Sequence, residues 1–165
     1  MRTLHKLEKH VIYLDELVLQ VASQMGRPDD IECANSAIEA VMLAVRNRLN
    51  FEQSIKFLNH LPLPFKAVYI KDWQVHDRVP DRINSMNEFM DEVYHNRPDI
   101  CQKEYKDEQM LKNAIKAVFT VIGLHVSNRD LKKELNFLPD DLRLYLEAEG
   151  VSMKSNASDT SIWLS

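Results

Sequence analysis

Glycine is scarce in this chain: its 165 residues hold only 3, Gly26, Gly123 and Gly150. A Walker loop or a dinucleotide fingerprint needs clustered glycines so that backbone N–H groups can approach a phosphate, and this count excludes both. So few glycines also weigh against a many-stranded β fold with its tight turns. Cysteine is scarcer still. Cys33 and Cys101 are the only two, too few for a disulfide framework and without the paired spacing of a zinc site. The expectation is a cytoplasmic protein with reduced thiols; pairing of the two would require an extracytoplasmic setting. The longest wholly apolar run, Ala40 to Val45, falls far short of the roughly 20 residues of a membrane-spanning helix. Near the N-terminus, Glu8, Lys9, Asp15 and Glu16 interrupt what a secretory signal would keep apolar.

An excess of positive charge is also missing. Residues 1–72 carry 9 basic and 9 acidic side chains and residues 73–165 carry 12 and 16, for a net charge of −4. Neither half offers the basic surplus on which phosphate-backbone binding depends. The stretch Ser127 to Leu135 is half of a helix-turn-helix in outline, with Arg129, Lys132 and Lys133, but Asp130 and Glu134 share those turns. Its counterpart Phe51 to Leu58 has only Lys56, so a symmetrical nucleic-acid reader is not expected. The 6 histidines suggest a metal, yet His5 and His10 are five apart and off a shared helical face, and no His-Glu-x-x-His or Cys-x-x-Cys occurs. No metal, cofactor or catalytic residue is assigned. His125, beside Ser127 in an apolar helix, reads as a satisfied, partly buried histidine rather than a base. A nucleophile elbow and a Ser-His-Asp order are absent as well.

What the chain does have is helical periodicity, and it has it twice. Residues 37–70 overlay 114–147 at a constant offset of 77 without a gap, with identities at Ala37/Ala114, Ile38/Ile115, Ala40/Ala117, Val41/Val118, Leu58/Leu135, Leu61/Leu138 and Pro62/Pro139. The matched roles carry more weight than the identities. Ile38, Val41, Met42, Val45 and Leu49 form one apolar stripe, and Ile115, Val118, Phe119, Ile122 and Val126 form the same stripe again. A helix-start signal follows each, Asn50 with Gln53 and Ser127 with Asp130, in which a short side-chain oxygen accepts from the first turn and the residue three on returns the bond. Leu58, Leu61, Phe65, Val68 and Tyr69 then match Leu135, Leu138, Leu142, Tyr145 and Leu146. Pro62 and Pro139 fall at one point in both copies, where a third helix must break or restart for want of a backbone donor. Asp140 and Asp141 suit a new helix N-terminus.

An amphipathic segment precedes each copy, with Leu7, Val11, Leu14, Val18 and Val21 in the first and Met86, Phe89, Met90 and Val93 in the second. An Arg-Pro-Asp triplet follows both, at Arg27 to Asp29 and Arg97 to Asp99. The expectation is an all-α fold: two repeated three-helix units, 4–70 and 85–149, joined by a polar linker, 71–84, and packed into one bundle-like domain. A unit of about 65 residues folds alone only marginally, so the two should share a core. The Ser-rich stretch 150–165 lacks periodicity and reads as disordered, though it holds Ile162-Trp163-Leu164. Trp163 reads first as folding back on its own domain or merely ending the chain, since single exposed apolar residues are common, and second as a partner-docking anchor.

The richest polar and aromatic cluster comprises Lys66, Tyr69, Asp72, Trp73, His76 and Asp77. As a site, Trp73 would anchor a protein partner or ligand while His76 and Asp77 titrate or bond to it. As structure, Trp73 would plug the junction between the units and His76 and Asp77 would be solvated linker groups. Lys66, Tyr69, Asp72, Trp73 and His76 are the candidate interaction surface. The preferred function is a non-enzymatic module acting through protein contacts, including self-association. The alternative is a small-molecule binder with an apolar pocket between the units, lined by Met42, Phe65, Phe119 and Trp73.

Arg46-Asn47-Arg48-Leu49, Leu61-Pro62, Lys66-Ala67-Val68-Tyr69, Asp72-Trp73, His125-Val126-Ser127 with Asp130, and Leu138-Pro139-Asp140-Asp141-Leu142-Arg143 together resemble an uncharacterised bacterial domain family, domain of unknown function DUF 2267. The resemblance spans about residues 10–147 and implies the fold and a bacterial source, without a known activity. Departures from the family pattern are Lys66 in an Arg slot, and Ala67, Asp72 and Arg129 in Gly slots.

Overall fold

A computed structural model describes residues 15–74, 85–96, 108–125, 133, 136 and 138–150. Every regular element among them is a helix: α1 over 15–24, α2 (Ile31–Arg46), α3 (Phe51–His60), α4 (Leu63–Ile70), α5 (Met86–Asn96), α6 (Glu108–His125) and α7 (Asp140–Ala148). No strand occurs among the described residues, and none of the helices is long and apolar enough to cross a membrane.

Local chemistry sets where these helices stop and start. After α1, Gly26 takes φ +75°, and Gly26 N–H and Arg27 N–H donate to Ser23 O (3.0 Å) and Ala22 O (2.9 Å), closing the helix in a left-handed cap that glycine adopts without strain. Asp30 then caps α2, accepting from Cys33 N–H at 3.1 Å. The reciprocal box at α3 forms as the sequence predicts: Asn50 Oδ1 accepts from Gln53 N–H (2.8 Å) and Gln53 Oε1 accepts from Asn50 N–H (3.0 Å). Its counterpart at Ser127 and Asp130 lies outside the described residues.

The segment read as one broken third helix is in fact two. Pro62 sits at φ −57°, ψ 148°, an extended conformation that separates α3 from α4, and the first half therefore holds four helices rather than three. Pro139 adopts nearly the same geometry, φ −54°, ψ 143°, before α7. Both act by fixing φ and removing a donor at a helix start, where the missing N–H costs nothing.

The core is organised around α2, which packs on α4, α5 and α6, while α5 also packs on α6 and α7. Its stripe Ile38, Val41, Met42 and Val45 is buried, as is Leu49 just beyond its end, and so are Ile115, Val118, Phe119 and Ile122 on α6 and Met86, Phe89, Met90 and Val93 on α5, while Val126 lies outside the described residues. Each fully buried aliphatic or aromatic side chain contributes about 1.5–3 kcal/mol of transfer free energy. Phe89 and Phe119 meet with ring centroids 6.5 Å apart. Of the first amphipathic segment, Val18 and Val21 are buried, whereas Leu7, Val11 and Leu14 lie outside the described residues.

Polar bonds then fix α5 against its neighbours. Arg48 Nε donates to Glu92 Oε2 at 2.7 Å, its Nη2 forms an ion pair with the same oxygen, and Asn47 Nδ2 donates to Glu92 Oε1 at 3.1 Å. Asn96 Nδ2 donates to Ala40 O at 3.1 Å. Asp141 in the first turn of α7 accepts from Met86 N–H through both oxygens, at 2.9 and 2.8 Å, so a carboxylate from one helix satisfies an orphan donor at the start of another. His125 Nε2 lies 3.0 Å from Gln20 Oε1, a partly buried and hydrogen-bonded histidine that ties α6 to α1.

One expectation is overturned. Cys33, buried at the start of α2, is disulfide-bonded rather than a reduced thiol. The other cysteine of the sequence, Cys101, lies outside the described residues. With Cys33 oxidised, thiol chemistry gives no support to a cytoplasmic setting, since disulfides persist mainly in oxidising compartments.

Candidate functional site

Four of the five residues expected to form an interaction surface, Lys66, Tyr69, Asp72 and Trp73, lie on α4 and the turn after it; His76 lies outside the described residues, as do Asp77 and Trp163. The turn is built from two bends of opposite hand. Lys71 takes φ −57°, ψ 126° and Asp72 takes φ 53°, and Trp73 N–H closes back on Ile70 O at 3.1 Å. These are the angles of a type II turn, whose third position favours glycine because an L side chain is strained there. By the resemblance read from the sequence this is a Gly slot, and here Asp72 bears the strain. Ala67, in another Gly slot, is inside α4, where alanine is the better helix former by about 1 kcal/mol.

Arg46, at the last turn of α2, holds the turn in place. Its Nη1 donates to Tyr69 O at 2.9 Å and to Lys71 O at 2.8 Å, covering carbonyls that α4 leaves without an internal donor. Burial lowers the Arg46 pKa, and the nearby Tyr69 and Asp72 offset part of that shift; the guanidinium stays charged and pairs with the negative end of α4.

Tyr69 is fully buried beneath this turn, its ring 5.6 Å from Phe57. Its hydroxyl and Ser54 Oγ are 2.7 Å apart, a bond between two buried polar groups that would each be costly to leave unpaired. Burial pushes the Tyr69 phenol up to about 12, against smaller downward pulls from the Ser54 bond and Arg46. Tyr69 is thus a neutral structural post and a poor acid or base.

Trp73 stands on that post. Its ring meets Tyr69 edge-on (5.8 Å, 80°) and stacks on Phe51 (6.0 Å, 27°). Half-buried Trp73 and Phe51, which is 56% exposed, form an aromatic ledge. Ile55, one turn along α3 from Phe51, and Ile70, at the closing bond of the turn, are 40% and 52% exposed. Leu63 is 49% exposed and shares a helical face with Lys66 and Ile70. Exposed apolar side chains thus remain on both α3 (Phe51, Ile55) and α4 (Leu63, Ile70), with the Glu52–Lys56 ion pair next to Phe51 and Ile55 along α3.

Trp73 therefore packs within the first half, on Phe51 and Tyr69. Met42, Phe65 and Phe119, the other residues expected to line a pocket with it, are buried in the common core, to which Trp73 does not belong. Among the described residues no group of three His, Cys, Asp or Glu side chains is placed to hold a metal ion.

Sequence reasoning did not find Phe51, Ser54, Ile55 and Ile70. Phe51 and Ile55 carried a signal, an i, i+4 apolar pair directly after a helix cap, but in sequence it looks the same as a core-facing pair. Arg46 was visible as part of Arg-x-Arg, without its partners.

A comparison with curated proteins returns no match. Residues 14–145 match the family described as uncharacterized conserved protein (DUF2267). The chain belongs to the DUF2267 family.

Proposed function

We propose that this chain is a helical protein-contact module without catalytic chemistry, whose contact surface is the Phe51–Trp73 ledge and whose occupant is a second copy of the chain. The observation that carries this reading is the stacked pair itself: a tryptophan held half out of the fold by a turn with a positive φ at Asp72, against a phenylalanine that is 56% exposed. Scattered exposed apolar side chains are ordinary, but adjacent ones edged by charge mark association sites. Strained backbone persists where surrounding contacts over-determine it, and such places cluster at binding sites.

The internal repeat supports the same reading. We take 4–70 and 85–149 as two related units joined by 71–84. Ile31 and Glu108, the starts of α2 and α6, are 77 residues apart, as are Leu63 and Asp140, the starts of α4 and α7. Advancing Phe51, Ile55, Leu63 and Ile70 by the same step reaches Asn128, Lys132, Asp140 and Glu147. A ledge required for folding would be expected in both units. Among the described residues, no observation favours a small-molecule pocket between them.

Light scattering coupled to size exclusion tests the reading. Wild-type protein is expected to self-associate below about 100 μM, equivalent to roughly −5.5 kcal/mol, and Phe51→Asp to shift it to monomer with unchanged helicity. A strictly monomeric wild type over that range would remove the proposal.

A further inference from the structure

We infer that the segment after α7 supplies the contact: Ile162-Trp163-Leu164 of one copy seats on the Phe51–Trp73 ledge of the other, and reciprocally. This rests on the ledge being a contact surface and goes further by naming what fills it.

The ledge calls for a compact apolar group with an aromatic member, since its exposed components are the Phe51 ring, the outer part of Trp73 and the aliphatic side chains of Ile55 and Ile70. Residues 151–165 contain such a group. Between Asn156 and Ser161 the chain is polar apart from Ala157, and three consecutive apolar residues follow, Ile162, Trp163 and Leu164. Ser-rich sequence of this kind has too little apolar surface to build a core of its own. A tryptophan between two aliphatic residues, by contrast, has the composition of an interface anchor.

Reach permits the contact. After α7 the last described residue is Gly150, with φ +83°, the left-handed conformation that closes a helix. From there to Trp163 is 13 residues, up to about 43 Å when extended. A compact domain of this length has a radius of gyration of about 15 Å and is roughly 40 Å across. The anchor can therefore extend from its own domain to a partner, and exchange of the same element in both directions gives a closed two-fold dimer rather than an open chain.

The test uses full-length protein and the fact that Trp73 and Trp163 are the only tryptophans. Self-association constants are measured for wild type, Phe51→Asp, Trp163→Ser and the double variant, and Trp163 emission is followed in Trp73→Phe, which keeps an aromatic ring on the ledge. Exchange predicts that each single substitution weakens association at least about tenfold, and that the double variant is no weaker than either. It also predicts that Trp163 emission shifts to the blue as the dimer forms and back to the red when Phe51→Asp is added. If Phe51→Asp weakens the dimer and Trp163→Ser does not, the inference is overturned while the ledge stands. If Phe51→Asp changes nothing, the ledge reading itself fails. If Trp163 emission responds to Phe51→Asp equally at all concentrations in a monomer, the segment covers its own ledge and exchange is refuted.

Discussion

Helices α4 and α7 occupy the same place in the sequence pattern, each starting directly after a proline, and they differ most on their outer side. Their inner faces are alike: Phe65 and Tyr69 on α4 and Leu142 and Leu146 on α7 are all buried. The remaining positions diverge. Leu63 and Ile70 on α4 are large, apolar and exposed, where α7 has Asp140 and Glu147. Pro64, buried in the first turn of α4, corresponds to Asp141, which spends its carboxylate capping α5. The inner face answers to the core and is held by packing. The outer face is free of that demand: on α4 it carries two large exposed apolar side chains, Leu63 and Ile70, and on α7 one, Leu144.

If this division is right, substitutions on the inner faces should have the largest effect, and a similar one in both helices. Phe65→Ala is expected to destabilise by about 3–5 kcal/mol and Leu142→Ala by about 2–5 kcal/mol, read by denaturant unfolding. A loss under 1 kcal/mol at either would mean that the helix concerned is not integral to the common core.

Tyr69 sharpens the comparison through pH, because Leu146 at the matching position cannot titrate. With the folded phenol raised to about 12, the folded state holds its proton more tightly than the unfolded state, whose pKa is about 10. The resulting stability is fully present below pH 10 and is lost between pH 10 and 12, at up to about 1.4 kcal/mol per pH unit. Tyr69→Phe should abolish this part of the alkaline loss, while costing about 1–3 kcal/mol at neutral pH by stranding Ser54 Oγ. Parallel pH–stability curves for the two proteins would contradict the assignment.

The helix starts should respond more modestly. Asn50→Ala removes one side of the capping box and is expected to cost about 1 kcal/mol, and Asp141→Ala, which leaves Met86 N–H unpaired, about 1–2 kcal/mol. Thermal melts should place Asp141→Ala at or below Asn50→Ala. The smallest expected effect has the opposite sign: Asp72→Gly relieves the positive φ and should stabilise by about 0.5–1 kcal/mol. A destabilised Asp72→Gly would show that the Asp72 side chain contributes more than its backbone strain costs.

The inner faces were legible in the sequence because burial imposes a period. The stripes on α2 and α6, the Asn50 cap and the breaks at Pro62 and Pro139 each follow from one local rule, and among the described residues each is found where that rule puts it. The separation of α3 from α4 was legible only as a break, since proline marks the position without telling how far the chain stays extended. The ledge was half legible. Tyr69, Asp72 and Trp73 stood out by residue type, but Phe51 joins them across a turn that sequence spacing does not reveal, and Arg46 reaches Tyr69 O from 23 positions away. The strain at Asp72 was visible only as a departure from a glycine slot. The oxidised state of Cys33 runs against the expectation of reduced thiols, because two cysteines 68 residues apart are too few for a framework and their spacing does not tell whether either is bridged.

The most direct measurement is sedimentation equilibrium of wild type beside a variant in which the outer face of α4 takes the residues of α7, Leu63→Asp with Ile70→Glu. The account predicts a self-associating wild type and a monomeric variant with the same far-ultraviolet helicity and a melting temperature within a few degrees. Equal association in both proteins, or a variant that is monomeric only because it has unfolded, would contradict it.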